Sequence, residues 1–259
     1  MSISVADSGV RLLALCFAMV ALAALVYHVT KLGSPLVAPG ALVRGALQLA
    51  AVSLVLAAAL AHIFSAVAVL VVMFAAASVT AVRRSDSGLS GVWLTLALAS
   101  GICVVLPLML LSGVVPLEGV ALVPVGGIVM GGAMTATSMA AKRALDAVDA
   151  RYGEVEAALS LGFSERDARW EVARTAAADA LLPGVDQTRT VGLVTLPGAF
   201  VGVLLATGSA LQAGAVQILV LGGLLLAQTC SVAVTLELVA RGRVCRDRLD
   251  RPRLSRWRA

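Results

Sequence analysis

Residues Gly45–Val82 read GALQLAAVSLVLAAALAHIFSAVAVLVVMFAAASVTAV, 38 residues without a formal charge. As one helix rising about 1.5 Å per residue the run would be ~57 Å long, roughly twice the ~30 Å hydrocarbon core of a bilayer. It therefore reads as two membrane helices joined by a turn near Ala61-His62-Ile63. Working outward, apolar runs of similar character recur on both sides. Of 259 residues 60% are apolar and 14% charged, with mean hydropathy +0.98. Soluble domains average about 45–50% and about 25%. That balance excludes a soluble globular enzyme and a disordered chain. The apolar runs continue throughout, so a cleaved leader does not account for them. The fold class is all-α, a polytopic integral membrane protein, because helices satisfy their own backbone groups in lipid.

The expected spans are Val10–Tyr27, two within Gly45–Val82, Gly91–Leu111, Gly119–Ala141, Thr190–Ala206 and Ala215–Ala240. Seven spans with the N-terminus outside and the C-terminus inside place loops 28–44, 83–90 and 142–189 and the tail 241–259 on the cytoplasmic side. Those segments hold 19 of the 20 Lys and Arg, Arg11 being the exception, and such residues favour that side. The domain organisation is thus a transmembrane domain over 1–240 and a basic cytoplasmic tail over 241–259. The tail carries eight Arg against Asp247 and Asp250, which leaves −1 for the rest of the chain. A charge so localised suits anionic lipid and argues against a nucleic-acid partner. Cys16, Cys103, Cys230 and Cys245 lack the spacing of a disulfide framework or zinc site.

The segment 142–189 is polar and long. Leu145, Val148, Tyr152, Val155 and Leu159 fall at steps of three and four, one stripe of an amphipathic helix. Gly162 stands at a left-handed C-terminal cap position, with Phe163 next to it. Ser164 with Asp167 begins a second helix, expected to run to Leu182 and stop at Pro183-Gly184. The result is a cytoplasmic hairpin with Phe163 exposed at its tip. It is either a connector packed on itself or a lever that docks into a soluble partner.

The turn carries Glu156-Ala157-Ala158, Gly162 and Ser164, and resembles the "EAA" loop through which ABC-transporter permeases hold a cytoplasmic ATPase. The run Gly127–Ser138, the run Glu154–Gly162 and the run Thr190–Gly198 together resemble the FetB-like permeases, a family named for bacterial iron export with plant relatives linked to aluminium tolerance. The likeness is strongest over 120–240. It implies a permease subunit in a bacterial cytoplasmic membrane that exports an iron-like metal ion. It also implies a second copy of the chain, and a separate ATPase docking on Glu156, Ala157, Ala158, Gly162, Phe163 and Ser164. In the family's pattern Asn commonly stands where this chain has Gly132 and Thr135.

No G-x-x-x-x-G-K-[ST] loop occurs in the chain, so no cofactor is expected on it, and ATP with Mg is expected on the partner ATPase. H-E-x-x-H and G-x-S-x-G are also missing, and the chain reads as a transport subunit rather than an enzyme. Within the spans, Met130, Met134, Thr135, Thr137, Ser138, Thr195, Pro197 and Gly198 are candidate translocation-path residues. Thioethers suit soft metals and hydroxyls hard ones, and Pro197-Gly198 interrupts its helix. No metal site can be assigned from spacing. Gly127 and Gly131 form a G-x-x-x-G packing seam. Gln48, Gln217 and Gln228 are expected to bond between helices, and Glu237 to pair with Arg241. The competing readings are an ATPase-independent secondary transporter or channel, and a membrane scaffold whose hairpin binds another partner. Ion-coupled transport would call for ionisable groups inside the spans, and these are nearly absent.

Overall fold

The computed structural model describes residues 5–59, 63–113 and 117–246. Among them the regular structure is helical, with a single isolated bridge between Val191 and Thr195. The helices are α1 (Val5–Thr30), α2 (Val37–Ala59), α3 (Ile63–Arg84), α4 (Leu94–Leu111), α5 (Gly119–Ala150), α6 (Tyr152–Ser160), α7 (Glu165–Ala178), α8 (Leu182–Thr190), α9 (Gly198–Thr207) and α10 (Ala210–Ala240). Short 3₁₀ turns, Gly88–Trp93 and Asp179–Leu181, precede α4 and α8. Five helical segments are long and apolar enough to cross a membrane: Gly9–Thr30, Ile63–Arg84, Gly88–Leu111, Ala121–Ala150 and Ala210–Ala240. The chain is thus an all-helical multi-pass membrane protein.

The chain forms two compact units, 1–61 and 62–259. In the first, α1 packs on α2, and most described side chains are exposed apolar ones, such as Leu13, Phe17, Leu47 and Leu49, as a lipid-facing pair requires. Arg44, expected in a loop, lies inside α2. The turn expected near Ala61-His62-Ile63 falls on residues 60–62, outside the described residues, between α2 and α3 in sequence.

The second unit is built on α5 and α10, which pack on each other, on α4 and on α7; α3 joins through α5. Small residues set these contacts. A side chain at Gly126 or Gly127 would strike Leu70 or Met73 of α3, and one at Gly132 would strike Leu224 of α10. One at Gly101 of α4 would meet the Ala227 carbonyl and the Ser231 hydroxyl. Gly131 has nothing within 4 Å of that position. The expected Gly127/Gly131 seam is therefore two seams on different faces of α5, with Gly126/Gly127 toward α3 and Gly132 toward α10.

Two boundaries differ from expectation at prolines. Pro183 does not end the hairpin's second helix. That helix, α7, stops at Ala178, and Pro183 lies in the first turn of α8, where a missing N–H is no loss. The expected sixth span, Thr190–Ala206, is helical only from Gly198, with Pro197 as N-cap. Before it, Thr190 O accepts the N–H groups of Leu193, Val194 and Thr195, and Gly192 (φ 83°) donates to Thr195 O at 2.8 Å. Pro197 supplies no N–H to continue a helix backward, and Gly192 supports the left-handed turn.

Residues 241–246 fold back onto the bundle. Gly242 (φ 66°) and Arg243 donate to Val239 O and Leu238 O, closing α10, and Val244 is buried in the core. The rest of the basic tail, including Trp257, lies outside the described residues.

Candidate functional site

The hairpin is an extension of a membrane helix. α5 continues 32 residues from Gly119 to Ala150, breaks at Arg151 and resumes as α6. The expected stripe faces inward: Leu145 and Val155 are buried, and Val148 and Leu159 pack on the core. Alanines pack α5 against α7 and the 3₁₀ turn after it, with Ala136, Ala140, Ala141 and Ala144 clustered with Ala173, Ala177 and Ala180, joined by Val232, Leu236 and Val239 of α10. With methyls at the contact, helices approach closely and slide little.

The tip has the expected cap geometry. Gly162 (φ 91°) donates to Leu159 O at 3.0 Å and Phe163 to Ala158 O at 3.1 Å, the two bonds of a Schellman motif. Ser164 caps α7 by accepting the Asp167 N–H at 3.1 Å, and its hydroxyl donates to the Asp167 carboxylate at 2.7 Å. That bond, then the Arg166 guanidinium, hold the Asp167 carboxyl below its ordinary value. Glu156, Ala157, Gly162 and Ser164 are exposed, Ala158 is half-buried, and Phe163 is 50% exposed. Leu161, 79% exposed, was not singled out from the sequence, though its place just before a left-handed glycine marks it.

Arg166 holds the tip to the end of α10. Its Nε and Nη2 donate to the two carboxylate oxygens of Glu237 at 3.0 and 2.6 Å, and its guanidinium lies 5.0 Å from the centroid of the Trp170 ring. Glu237 also accepts from Arg241 at 2.6 Å, the pair expected from spacing. Spacing could not show the cross-chain partner, 71 residues away. Arg246 bridges Asp146 and Asp149 (2.5 and 3.0 Å), and Lys142 pairs with Asp86 at 3.2 Å. Arg143 pairs with Asp179 at 3.2 Å.

The candidate path residues do not form one cluster. Met130 is buried among Leu98, Ile102 and Ala227, and Met134 packs against the same group. Thr135 is exposed and its hydroxyl returns to Gly131 O; Ser138 bonds Thr135 O. Thr137 is fully buried and its hydroxyl has no partner. Thr195 and Gly198 are exposed at the start of α9, with Pro197 half-buried between them, and α9 packs on α10. The amide oxygens of Gln217 and Gln228 are buried without a hydrogen-bond partner, as are the Ser78 and Ser231 hydroxyls. Gln228 sits under Gly184 of α8, where any side chain would meet its amide. Among the described residues no group of three or more His, Cys, Asp or Glu could hold a metal ion.

Helices long and apolar enough to cross a bilayer, small-residue seams and a polar hairpin packed against two of those helices define a multi-pass membrane protein. The chain belongs to the uncharacterised protein family UPF0014, whose model matches residues 10–243. It is 36% identical over 135 residues to "UPF0014 membrane protein STAR2" of Oryza sativa subsp. japonica, covering 52% of this chain and 47% of that one. It is 33% identical over 136 residues to "Protein ALUMINUM SENSITIVE 3" of Arabidopsis thaliana (52% and 50%). Against "Probable iron export permease protein FetB" of Escherichia coli it is 30% identical over 146 residues (56% and 56%). The chain thus spans about half the length of these curated relatives. No solved structure matches it.

Proposed function

We propose that this chain is the membrane subunit of an ABC transporter that exports a metal ion, driven by ATP hydrolysed on a separate ATPase. The hairpin is its cytoplasmic face, so the N-terminus is outside and the C-terminus inside. The observation that carries the reading is the tip. Leu161 and Phe163 stand exposed on a glycine-capped turn, at the end of a helix pair welded to α5 and α10. An apolar knob on a rigid lever is what a nucleotide-driven partner needs to grip. The chain has no phosphate-binding loop of its own, so the energy source is a partner. The iron-export name of the Escherichia coli relative supports a metal substrate and the direction.

Two copies form the pathway, with two ATPases beneath. The cargo meets thioethers, hydroxyls and amide oxygens rather than a carboxylate cage, which suits an ion bound weakly and released. Gln228 and Ser231, buried without partners like the earlier candidate Thr137, join the candidates, since an unmet polar atom inside a membrane bundle is costly unless something visits it.

The test is co-purification and ATP hydrolysis with the candidate ATPase in proteoliposomes. Phe163→Arg and Leu161→Arg each abolish co-purification and the permease-dependent stimulation of hydrolysis, while melting temperature is unchanged. Retention of both activities by both variants, or metal efflux without any ATPase, overturns the proposal.

A further inference from the structure

We propose that the turn between α3 and α4, together with Arg243, is a binding site for the headgroup of an anionic phospholipid. This site does not depend on what the protein transports. α3 ends in Arg83-Arg84, both exposed. The chain then turns through Ser85, Asp86 (φ 54°), Ser87 and Gly88 (φ 58°) into the 3₁₀ helix Gly88–Trp93. The turn is fixed from inside. The buried hydroxyls of Ser85 and Ser87 are 2.6 Å apart, and Ser85 donates to Val82 O. Gly91 lies so close to Ser87 and Val82 that a side chain there would clash. Ser90 Oγ accepts the Cys245 N–H at 3.1 Å and lies 2.8 Å from Cys245 O. That joins residues 241–246 to the turn and sets the Arg243 guanidinium 5.3 Å from the Trp93 ring centroid.

The result is an internally bonded turn flanked by Arg83 and Arg84 at the end of α3 and by Arg243 beside Trp93, with an apolar edge of its own. In a 3₁₀ helix residues three apart eclipse, so Leu89 and Val92 stack on one side. They are 91% and 63% exposed, beside half-exposed Trp93. Most of the neighbouring charge is already matched. Asp86 is taken by Lys142, Asp146 and Asp149 by Arg246, and Glu237 by Arg166 and Arg241. Among the described residues no carboxylate pairs with Arg83, Arg84 or Arg243. The C-terminal dipole of α3 supplies roughly half a negative charge, so more than one positive charge stays unmatched. An apolar edge that enters the acyl boundary, an interfacial indole and arginine forks at phosphate depth fit a lipid headgroup rather than a dissolved anion.

The experiment is native mass spectrometry of the full chain in detergent, titrated separately with phosphatidylglycerol and phosphatidylcholine. Phosphatidylglycerol binds in preference. Arg83→Gln/Arg84→Gln weakens it on the order of tenfold, as expected for two basic residues near a lipid surface. The charge-matched control Arg174→Gln/Arg189→Gln, which removes exposed arginines paired within their own helices, leaves it unchanged. Arg243→Gln, on a different segment, repeats the test if the double variant does not fold. Equal losses in the two doubles would make the effect one of net charge and overturn the site. No loss in the first double and in Arg243→Gln, or displacement of the lipid by inorganic phosphate, overturns it equally.

Discussion

A methyl group is the smallest probe of the helix seams, and at four glycines it gives opposite outcomes. At Gly131 the added carbon meets nothing within 4 Å, so Gly131→Ala is neutral or stabilises by up to about 1 kcal/mol through helix propensity. At Gly101 it meets the Ala227 carbonyl, a backbone atom that cannot rotate away. Gly101→Ala therefore destabilises by about 1–3 kcal/mol, as overpacked cores do. Gly132→Ala destabilises less, because the obstructing Leu224 methyl can change rotamer. Thermal unfolding in detergent measures all three, and a loss at Gly131 matching that at Gly101 would contradict the seams described. The fourth glycine, Gly162, is confined by its backbone rather than by neighbours (φ 91°). Gly162→Ala costs about 1–2 kcal/mol, read as faster amide exchange at the hairpin tip. The sequence made Gly162 legible because one residue type and one flanking serine define the cap. It could not sort the α5 glycines, because positions 126, 127, 131 and 132 share a helix and only the neighbours decide which face is crowded.

At the scale of elements, α7 begins where Ser164 and Asp167 predict, with Ser164 in its predicted capping role and the Asp167 carboxylate accepting the Ser164 hydroxyl. Ser164→Ala removes the acceptor for the Asp167 N–H and loosens the first turn by ~1 kcal/mol. The Asp167 carboxyl is held below its ordinary value by the Ser164 hydroxyl and then Arg166. A carboxyl depressed in the folded state adds stability above its unfolded value and loses that share as pH falls through the folded one. Amide exchange at the start of α7, corrected for intrinsic rates, should therefore rise as pH falls below the ordinary carboxylate range. In Asp167→Asn that added dependence is absent. An identical pH profile in the variant would show that the carboxylate plays no part. Helix ends at prolines were harder to read. Proline ends one helix and opens the next equally well, so Pro183 and Pro197 fix that a boundary exists but not on which side the helix lies. The link from Arg166 to Glu237 was illegible for a different reason, since its partners are distant in sequence and meet only once α7 folds against α10.

For the whole molecule, the crossing that departs from the sequence reading is the sixth, and its geometry makes a specific demand. α9 has ten residues, about 15 Å of helix at ~1.5 Å per residue, half of a ~30 Å hydrocarbon core. Composition alone favoured a full span there, because hydropathy counts apolar residues and registers neither the N–H that Pro197 lacks nor the left-handed turn at Gly192. Backbone outside regular structure survives at membrane depth only where protein buries it or water reaches it. Leu193 and Val194 are 91% and 78% exposed on the second unit, so one copy does not cover that stretch, and the prediction is that water reaches it. Val194→Cys, in a background with Cys16, Cys103, Cys230 and Cys245 replaced, should react with a membrane-impermeant maleimide in sealed proteoliposomes. Leu205→Cys, 82% exposed but within regular helix, faces lipid and stays unlabelled. Labelling at Val194 from the side that labels Phe163→Cys would mean that the stretch opens to the hairpin's compartment. Labelling from the other side would mean that the cavity opens across the membrane. Protection at Val194 equal to that at Leu205 would overturn the water-facing assignment and leave burial against a second copy to satisfy the Thr190–Pro197 backbone.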